Sequence, residues 1–437
     1  MPPVRGRGGG RRGRPRKSRV SEAEPAAIVE EVPQPPFFST TFSVHRVSPL
    51  YLGEQSDHGA MLRTLSNRLR DTLIGDVVRG VYVGLDPTQS EIGNAGSLES
   101  VKLHWVRVSD VISQIDPDRR PPSRDLSSDA PDNDGIGLLG MRRGIWIDIR
   151  YENAACTGML LPDLSSEEEK DIPEQTWVET KGKKRGRASE VDPSHFLQLP
   201  LLLLRMPTPL KKIVTEWLSG VFDCHISPLS LGTRSLVRIW ETWLKTATVP
   251  ETGPKAKEVV VTLGFSLPHL ADEIPDGVQE DDEDEEGLPR GLQQGLRSID
   301  ISIQPDDISQ FVLAGEAIAE NRDAAGPKPW MGDARTRKIL AGGHEDDGWA
   351  WKAEDSGTGD SADDEQPFID ALAFYLDEHL ALNLFHPSVR VTRISSPGFV
   401  LTDSRIKVFE TTDAKAVCNL LADVTRRSLG TELPQVF

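Results

Sequence analysis

Cysteine is scarce in this chain. Three occur in 437 residues, Cys156, Cys224 and Cys418, far apart and with neither C-x-x-C spacing nor a paired histidine motif. That argues against a disulfide framework and against a zinc site. Long apolar runs are lacking too. The most apolar stretch, Phe196 to Met206, is broken by Gln198 and Pro200, well short of the roughly 20 residues a membrane span requires, and it reads as buried core. No apolar segment follows the first basic residues, so neither a secretory signal nor a membrane partner is expected. The sequence also lacks a G-x-x-x-x-G-K-[ST] loop, a G-x-G-x-x-G after a strand, a G-x-S-x-G elbow, H-E-x-x-H and the kinase motif set. His45, His104, His195, His225 and His379 stand singly, without the constellation that catalysis needs. These absences imply no catalytic residue, no metal ligand, no cofactor and no small-molecule substrate.

What is present is charge, unevenly distributed. The chain carries a formal net charge of −18, yet its first 20 residues hold eight Lys/Arg and no Asp/Glu. The remainder therefore has 42 cationic against 68 acidic groups. The cationic tail centres on Arg11, Arg12, Gly13, Arg14, Pro15, Arg16, Lys17, Ser18 and Arg19. Gly13 lets the backbone press against a groove floor, and Pro15 holds an extended φ and removes an N–H. Arg12 and Arg14 can then lie in a narrow A·T-rich minor groove, where negative potential is concentrated, while Arg11, Arg16, Lys17 and Arg19 meet phosphates. These nine residues resemble an AT-hook. The same stretch also fits a nuclear-import signal or a Gly/Arg tail with no groove preference. All three readings place the chain in the nucleus.

Residues 1–36 lack apolar periodicity and are expected to form a disordered basic tail. A body follows over 37–437, and the chain's apolar content of 37% is low but sufficient for a core. Polar and charged segments predict disordered inserts at 116–138, 163–193, 272–290 and 323–366. The second contains Lys181 to Arg187, five of whose seven residues are basic, and the third contains seven consecutive acidic residues, Glu280 to Glu286. In the fourth, Trp330 and the Trp349–Ala350–Trp351 pair suit either a docking motif for another protein or a loop folded back on its own domain.

Strands are expected over Phe37 to Val47, Val77 to Leu85, Val101 to Val108 and Arg143 to Glu152, where Ile145, Ile147 and Ile149 alternate with Trp146, Asp148 and Arg150. Further strands are expected at Cys224 to Leu229, Glu258 to Leu267 and Ser298 to Gln304. Leu62, Leu65, Leu69 and Leu73 mark an amphipathic helix. Thr208 is read as the N-cap of a second, with Pro209 at its first position. Helices are also expected over Thr233 to Lys245 and Asp306 to Glu320. Phe368, Leu372, Phe374, Leu376, Leu380 and Leu384 mark a long helix. Three short strands over Val389 to Ile394, Gly398 to Thr402 and Ile406 to Glu410 and a helix over Thr412 to Ser428 complete the chain.

Five stretches carry a family resemblance: Thr41 to Tyr51, Leu73 to Val83, Gly144 to Ile149, Leu199 to Arg205 and Ala373 to Leu380. In them the chain resembles the CENP-L family, including the fungal subunit of the Sim4 inner-kinetochore complex. The resemblance implies an α+β fold in which helices pack on a curved, largely antiparallel sheet interrupted by long disordered polar inserts. It also implies a non-enzymatic subunit of the constitutive centromere-associated network. The implied partners are a CENP-N-like subunit, other Sim4 or centromere-associated subunits, the centromeric CENP-A nucleosome and A·T-rich DNA. The heterodimer is expected to form along an open sheet edge in the C-terminal region, through Val389, Val391, Arg393, Val400, Ile406 and Val408. A separate reading makes the chain an AT-hook chromatin or transcription regulator whose body is an effector module.

Overall fold

The computed structural model describes residues 36–53, 58–78, 96–112, 142–164, 196–247, 258–266, 296–320, 333–341, 348–354, 366–410 and 414–429. In chain order the elements are β1 (Thr41–Val47), β2 (Leu50–Tyr51), α1 (His58–Val78), β3 (Leu98–Arg107), α2 (Val108–Ile112), β4 (Arg143–Tyr151), β5 (Ala155–Leu161), β6 (Phe196–Leu197), β7 (Leu201–Arg205), α3 (Thr208–Phe222) and β8 (Ile226–Pro228). They continue with α4 (Gly232–Thr246), β9 (Val259–Phe265), β10 (Ser298–Ile303), α5 (Pro305–Glu320), α6 (Ala334–Leu340), α7 (Ala350–Glu354), α8 (Pro367–Leu380), β11 (Val389–Ser395), β12 (Phe399–Thr402), β13 (Arg405–Val408) and α9 (Ala414–Ser428). The fold is α+β, and residues 35–437 form one unit.

β1 organises the sheet. On one side Ser43 to Arg46 pair with β7; on the other, Thr41 to Ser43 pair with β13 and His45 to Val47 with β8. The result is an eleven-stranded antiparallel sheet in the order β10-β9-β11-β12-β13-β1-β7-β5-β4-β3, with β8 beside β1. A separate two-stranded ribbon pairs β2 with β6.

The two halves of this sheet are clothed differently. From β7 to β4 both faces are buried. The alternation in β4 does not separate core from solvent, because Ile145, Ile147 and Ile149 lie in one apolar cluster and Trp146 in another on the opposite face. The isoleucine face is covered by α1 through Leu62, Leu65, Leu69 and Leu73, and by α3 through Leu210, Val214, Leu218 and Phe222. The other face is covered by α4, α8 and α9, and it runs on under the C-terminal half, where Phe42, Val261, Val391, Ile394, Phe399, Leu401, Ile406 and Val408 are buried. Trp243 meets Phe399 edge-on at 4.9 Å between ring centroids, and Trp240 meets Phe368 at 5.5 Å.

Several expected elements shift. Val77 and Val78 end α1 and are not strand, and 79–85 lies outside the described residues. Proline at 207 is the extended N-cap of α3, so Thr208 is already helical and provides no side-chain cap. α8 stops at Leu380, where Ala381 turns left-handed, which leaves Leu384 beyond the helix and Phe374 and Leu380 exposed. Within 323–366, α6 and α7 are ordered helices, and Trp349 and Trp351 are buried in the main core. The pair therefore folds back on its own domain. Residues 1–35, 116–138, 165–193, 272–290 and the parts of 323–366 other than 333–341, 348–354 and Gln366 lie outside the described residues, as do Lys181 to Arg187 and Trp330.

One junction concentrates polar groups in the core. Glu241 of α4 is 4% exposed and accepts the Ile369 N–H at 3.0 Å, capping α8 from another helix where Gln366 supplies no side-chain cap. Burial pushes the Glu241 carboxyl up to about 7; the Ile369 N–H pulls it down, Asp370 raises it, and Lys352 and Lys245 lower it. Lys352 pairs with Asp370 and lies over Phe385, while the Trp349 indole N–H donates to the Val389 carbonyl at 2.9 Å. α5 crosses close by at Gly315, where a Cβ would stand 1.8 Å from the Pro367 carbonyl oxygen, so only glycine fits.

Candidate nucleic-acid interface

The half-sheet β10-β9-β11-β12-β13-β1 buries one face, and among the described residues no helix layer covers its other face. In an antiparallel sheet, residues directly opposite share a face. The register places Asp300, Thr262, Arg393 and Thr402 in one row across it, with Arg405 and Ser43 in register beside them. Ser302, Val260, Ser395, Val400, Lys407 and Thr41 form the next row. Each of these residues is exposed or half-buried, whereas their in-between neighbours Val261, Ile394, Leu401, Ile406 and Phe42 are buried. Six strands at about 4.8 Å spacing make this face roughly 24 Å wide.

Arg393, Arg405 and Lys407 bring cationic heads to this face, with Arg390 at its β11 end donating to the Ala341 carbonyl at 3.2 Å. Lys407 lies 5.1 Å from the Phe409 ring centroid, which holds its stem along the sheet. The Arg405 N–H donates to the Thr402 hydroxyl at 3.1 Å, fixing the β12–β13 turn beneath the guanidinium. Asp300 is the acidic side chain of the two rows, and it accepts the Thr262 hydroxyl at 2.6 Å. In a chain of net charge −18, such a flat cationic surface suits a polyanion rather than a compact ligand.

The other predicted positions are placed as follows. Arg11, Arg12, Gly13, Arg14, Pro15, Arg16 and Lys17 lie outside the described residues. Val389, Val391, Ile406 and Val408 are core residues, whereas Arg393 and Val400 lie on the outward face. The expectation of an open edge here is corrected by topology. β11 sits between β9 and β12, β12 between β11 and β13, and β13 between β12 and β1, so their backbone groups are already paired. Among the described strands of this path, β3 and β10 are the ones with a neighbour on one side alone. Arg405 and Lys407 were missed as a surface, although polar residues flanking Ile406 and Val408 are the period-2 signature of a strand wet on one side.

The remaining polar chemistry is dispersed. His45 on β1 is buried, and burial together with nearby Lys211 lowers its pKa to about 4. The three cysteines are buried, and burial pushes the Cys156 and Cys224 thiols up to about 11. Among the described residues no group of His, Cys, Asp and Glu could hold a metal ion, and no helix is long and apolar enough to cross a membrane.

Comparison with known proteins agrees with the fold. Curated proteins give no match to the chain. A family model, "CENP-L: Centromere protein L", matches residues 36–429, from just before β1 to the end of α9. That family is structural rather than known as enzymatic, and it works at the centromere and kinetochore in chromosome segregation. With nearly the whole folded body matched, the chain belongs to the centromere protein L family and is a centromere and kinetochore subunit of the nucleus.

Proposed function

We propose that this chain is a subunit of the constitutive centromere-associated network, of the Sim4 type, that pairs with a CENP-N-like partner and lays its open sheet face on DNA adjoining the CENP-A nucleosome. The observation that carries the DNA reading is the cationic face of Arg393, Arg405 and Lys407 in an otherwise acidic chain. Such a face contacts phosphates without reading bases, so it grips DNA wherever protein contacts have positioned it. The AT-hook-like tail around Gly13, Arg14 and Pro15 would add electrostatic hold to an assembly already in place.

Pairing with the CENP-N-like subunit is assigned to β10 by strand addition. β3 carries Glu99, Lys102 and Arg107, the sort of charges that protect an edge, whereas β10 carries Asp300 alone, already engaged by Thr262. Leu296, just before β10, is 58% exposed and adds apolar surface to that edge.

The test is the salt dependence of binding to a 30-base-pair duplex. Three phosphate contacts contribute about 2.7 to the log–log salt slope, at roughly 0.9 each. Replacing Arg393, Arg405 and Lys407 together by Gln is expected to lower the slope by about 2–3. An unchanged slope in a folded variant would remove the sheet face from the DNA interface.

A further inference from the structure

α8 leaves two adjacent aromatic side chains in water. Phe374 is 44% exposed and Tyr375 48%, although Phe368, Leu372 and Leu376 of the same helix are buried. The Tyr375 ring stands edge-on to Phe311 of α5 at 5.8 Å and beside His379 at 4.4 Å, so these rings line the seam between the two helices. Asp377 and Glu378 follow Phe374 at the spacing of one helical turn, and both are exposed on its side of α8. Adjacent large side chains left open in this way mark an interaction surface more often than a single exposed one does. We infer that this aromatic and acidic face of α8, bounded by α5, is a docking surface for a basic amphipathic helix of a partner protein. The inference is independent of the DNA and strand-addition readings above.

Charge selects that occupant. The sequences of α5 and α8 contain no Lys or Arg, whereas α5 carries Asp306, Asp307 and Glu316 and α8 carries Asp377 and Glu378. Lys352 of α7 approaches α8, but it is 12% exposed and already paired with Asp370. A DNA duplex or an anionic membrane would bring negative charge to negative charge here, and so would the same face of a second copy. A basic segment gains twice: its Lys and Arg heads meet the carboxylates, and those held over the open rings make cation–π contacts.

The backbone selects the occupant's form. Mid-helix N–H and C=O groups are paired within their own helix, so α5 and α8 give an extended strand no edge to continue. A segment that satisfies its own backbone and presents side chains alone is a helix, and it fits. At 1.5 Å per residue α8 is about 21 Å long, the length of a partner helix of about 14 residues. Apolar side chains one turn apart on that helix would cover Phe374 and Tyr375, while Lys and Arg at the border of its apolar stripe would reach Asp377 and Glu378.

Two measurements on the full-length chain, without DNA or a CENP-N-like subunit, test this. The first is fluorescence anisotropy with a labelled peptide of Leu and Lys, about 18 residues long, ordered so that a helix gathers the Leu into one stripe. One comparison peptide has the same composition in shuffled order, and another has Glu in place of Lys. The striped basic peptide is expected to bind most tightly. Changing Phe374 and Tyr375 together to Gln is expected to weaken it about 30-fold, as loss of a central aromatic anchor does. Asp377→Asn with Glu378→Gln is expected to weaken it about tenfold and to flatten its salt dependence. Equal binding of the shuffled or the Glu peptide overturns the inference, as does native affinity in the Phe374 and Tyr375 variant with its melting curve kept. The second measurement places p-benzoylphenylalanine at position 374 and irradiates the chain with the striped peptide. A covalent adduct that excess unlabelled peptide suppresses is expected, and an adduct with the Glu peptide instead overturns the inference. A dimer in sedimentation, or binding to phosphatidylserine vesicles, that Phe374→Gln abolishes would make the occupant a second copy or a membrane and would overturn it too.

Discussion

Replacing Glu241 by Gln should change how stability depends on pH more than it changes stability at any one pH. Glu241 keeps its proton in the folded chain up to about pH 7, against an ordinary value of 4.5, chiefly because it is buried. Between those values the folded state binds more protons than the unfolded state. Stability from this group is therefore complete below 4.5, falls as pH rises to 7 and is flat above it. At about 1.4 kcal/mol per pH unit, the loss is about 3 kcal/mol. His45 works in the opposite sense. Its folded value of about 4 lies below the ordinary 6.5, so its contribution is complete above 6.5 and is lost as pH falls toward 4, again about 3 kcal/mol. His104 and His386, also held down by burial, add to the histidine side. Across pH 4.5 to 6.5 the two effects offset each other in the native chain. Gln at 241 keeps a carbonyl acceptor for the Ile369 N–H but cannot ionise. The variant should accordingly gain stability steadily between pH 4.5 and 6.5 and exceed the native chain by about 1–2 kcal/mol at pH 8, after allowing for the lost charged cap. Urea midpoints at pH 5, 6, 7 and 8 measure this. A variant destabilised equally at pH 5 and pH 8, or one with the native pH profile, would refute the reasoning.

Two further outcomes follow from packing and topology. Trp349→Ala removes an indole that is 2% exposed, hydrogen-bonded to Val389 and packed edge-on against Phe385; a loss of about 3–5 kcal/mol is expected in urea unfolding, and a loss below about 1 kcal/mol would show that the clasp does not hold β11 in place. Leu296→Lys places a charge just before the outer strand β10, at a side chain that is 58% exposed; co-purification with the CENP-N-like subunit should be lost while the melting curve is kept, and retained co-purification would move the interface away from β10.

Much of this fold could be read from local pattern, because most strands and helices carry their own periodicity. The leucines of α1 and the alternation of Ile406 and Val408 with exposed or half-buried neighbours are examples, since burial on one face leaves a repeat of 3.6 or 2. What failed were facts set by distant neighbours. Nothing near Val389 to Val408 tells that β9, from well over 100 residues earlier, and β1, from the start of the body, take up both flanks of those three strands. Likewise, Trp146 and Ile147 are both buried because different helix layers cover each face of β4, and a strand's own residues cannot specify what lands on it. Buried Glu241 was invisible for the same reason, since its partner Ile369 lies 128 residues away. The cationic face needed only the correct assignment of wet and dry sides, which the spacing of Arg405 and Lys407 already contained.

The central place of β1 has a consequence for synthesis. Thr41 finds its partner Lys407 only at the far end of the body. At about 5–20 residues per second, β1 leaves the ribosome roughly 20–70 seconds before β13 does. For that interval the nascent chain displays Phe42 and Val44 along an unzipped seam, an inviting template for other strands. A transcript that stops before codon 405 therefore yields more than a shortened protein: it yields one whose seam never closes, and such a product is destined for chaperones and proteolysis rather than for the centromere.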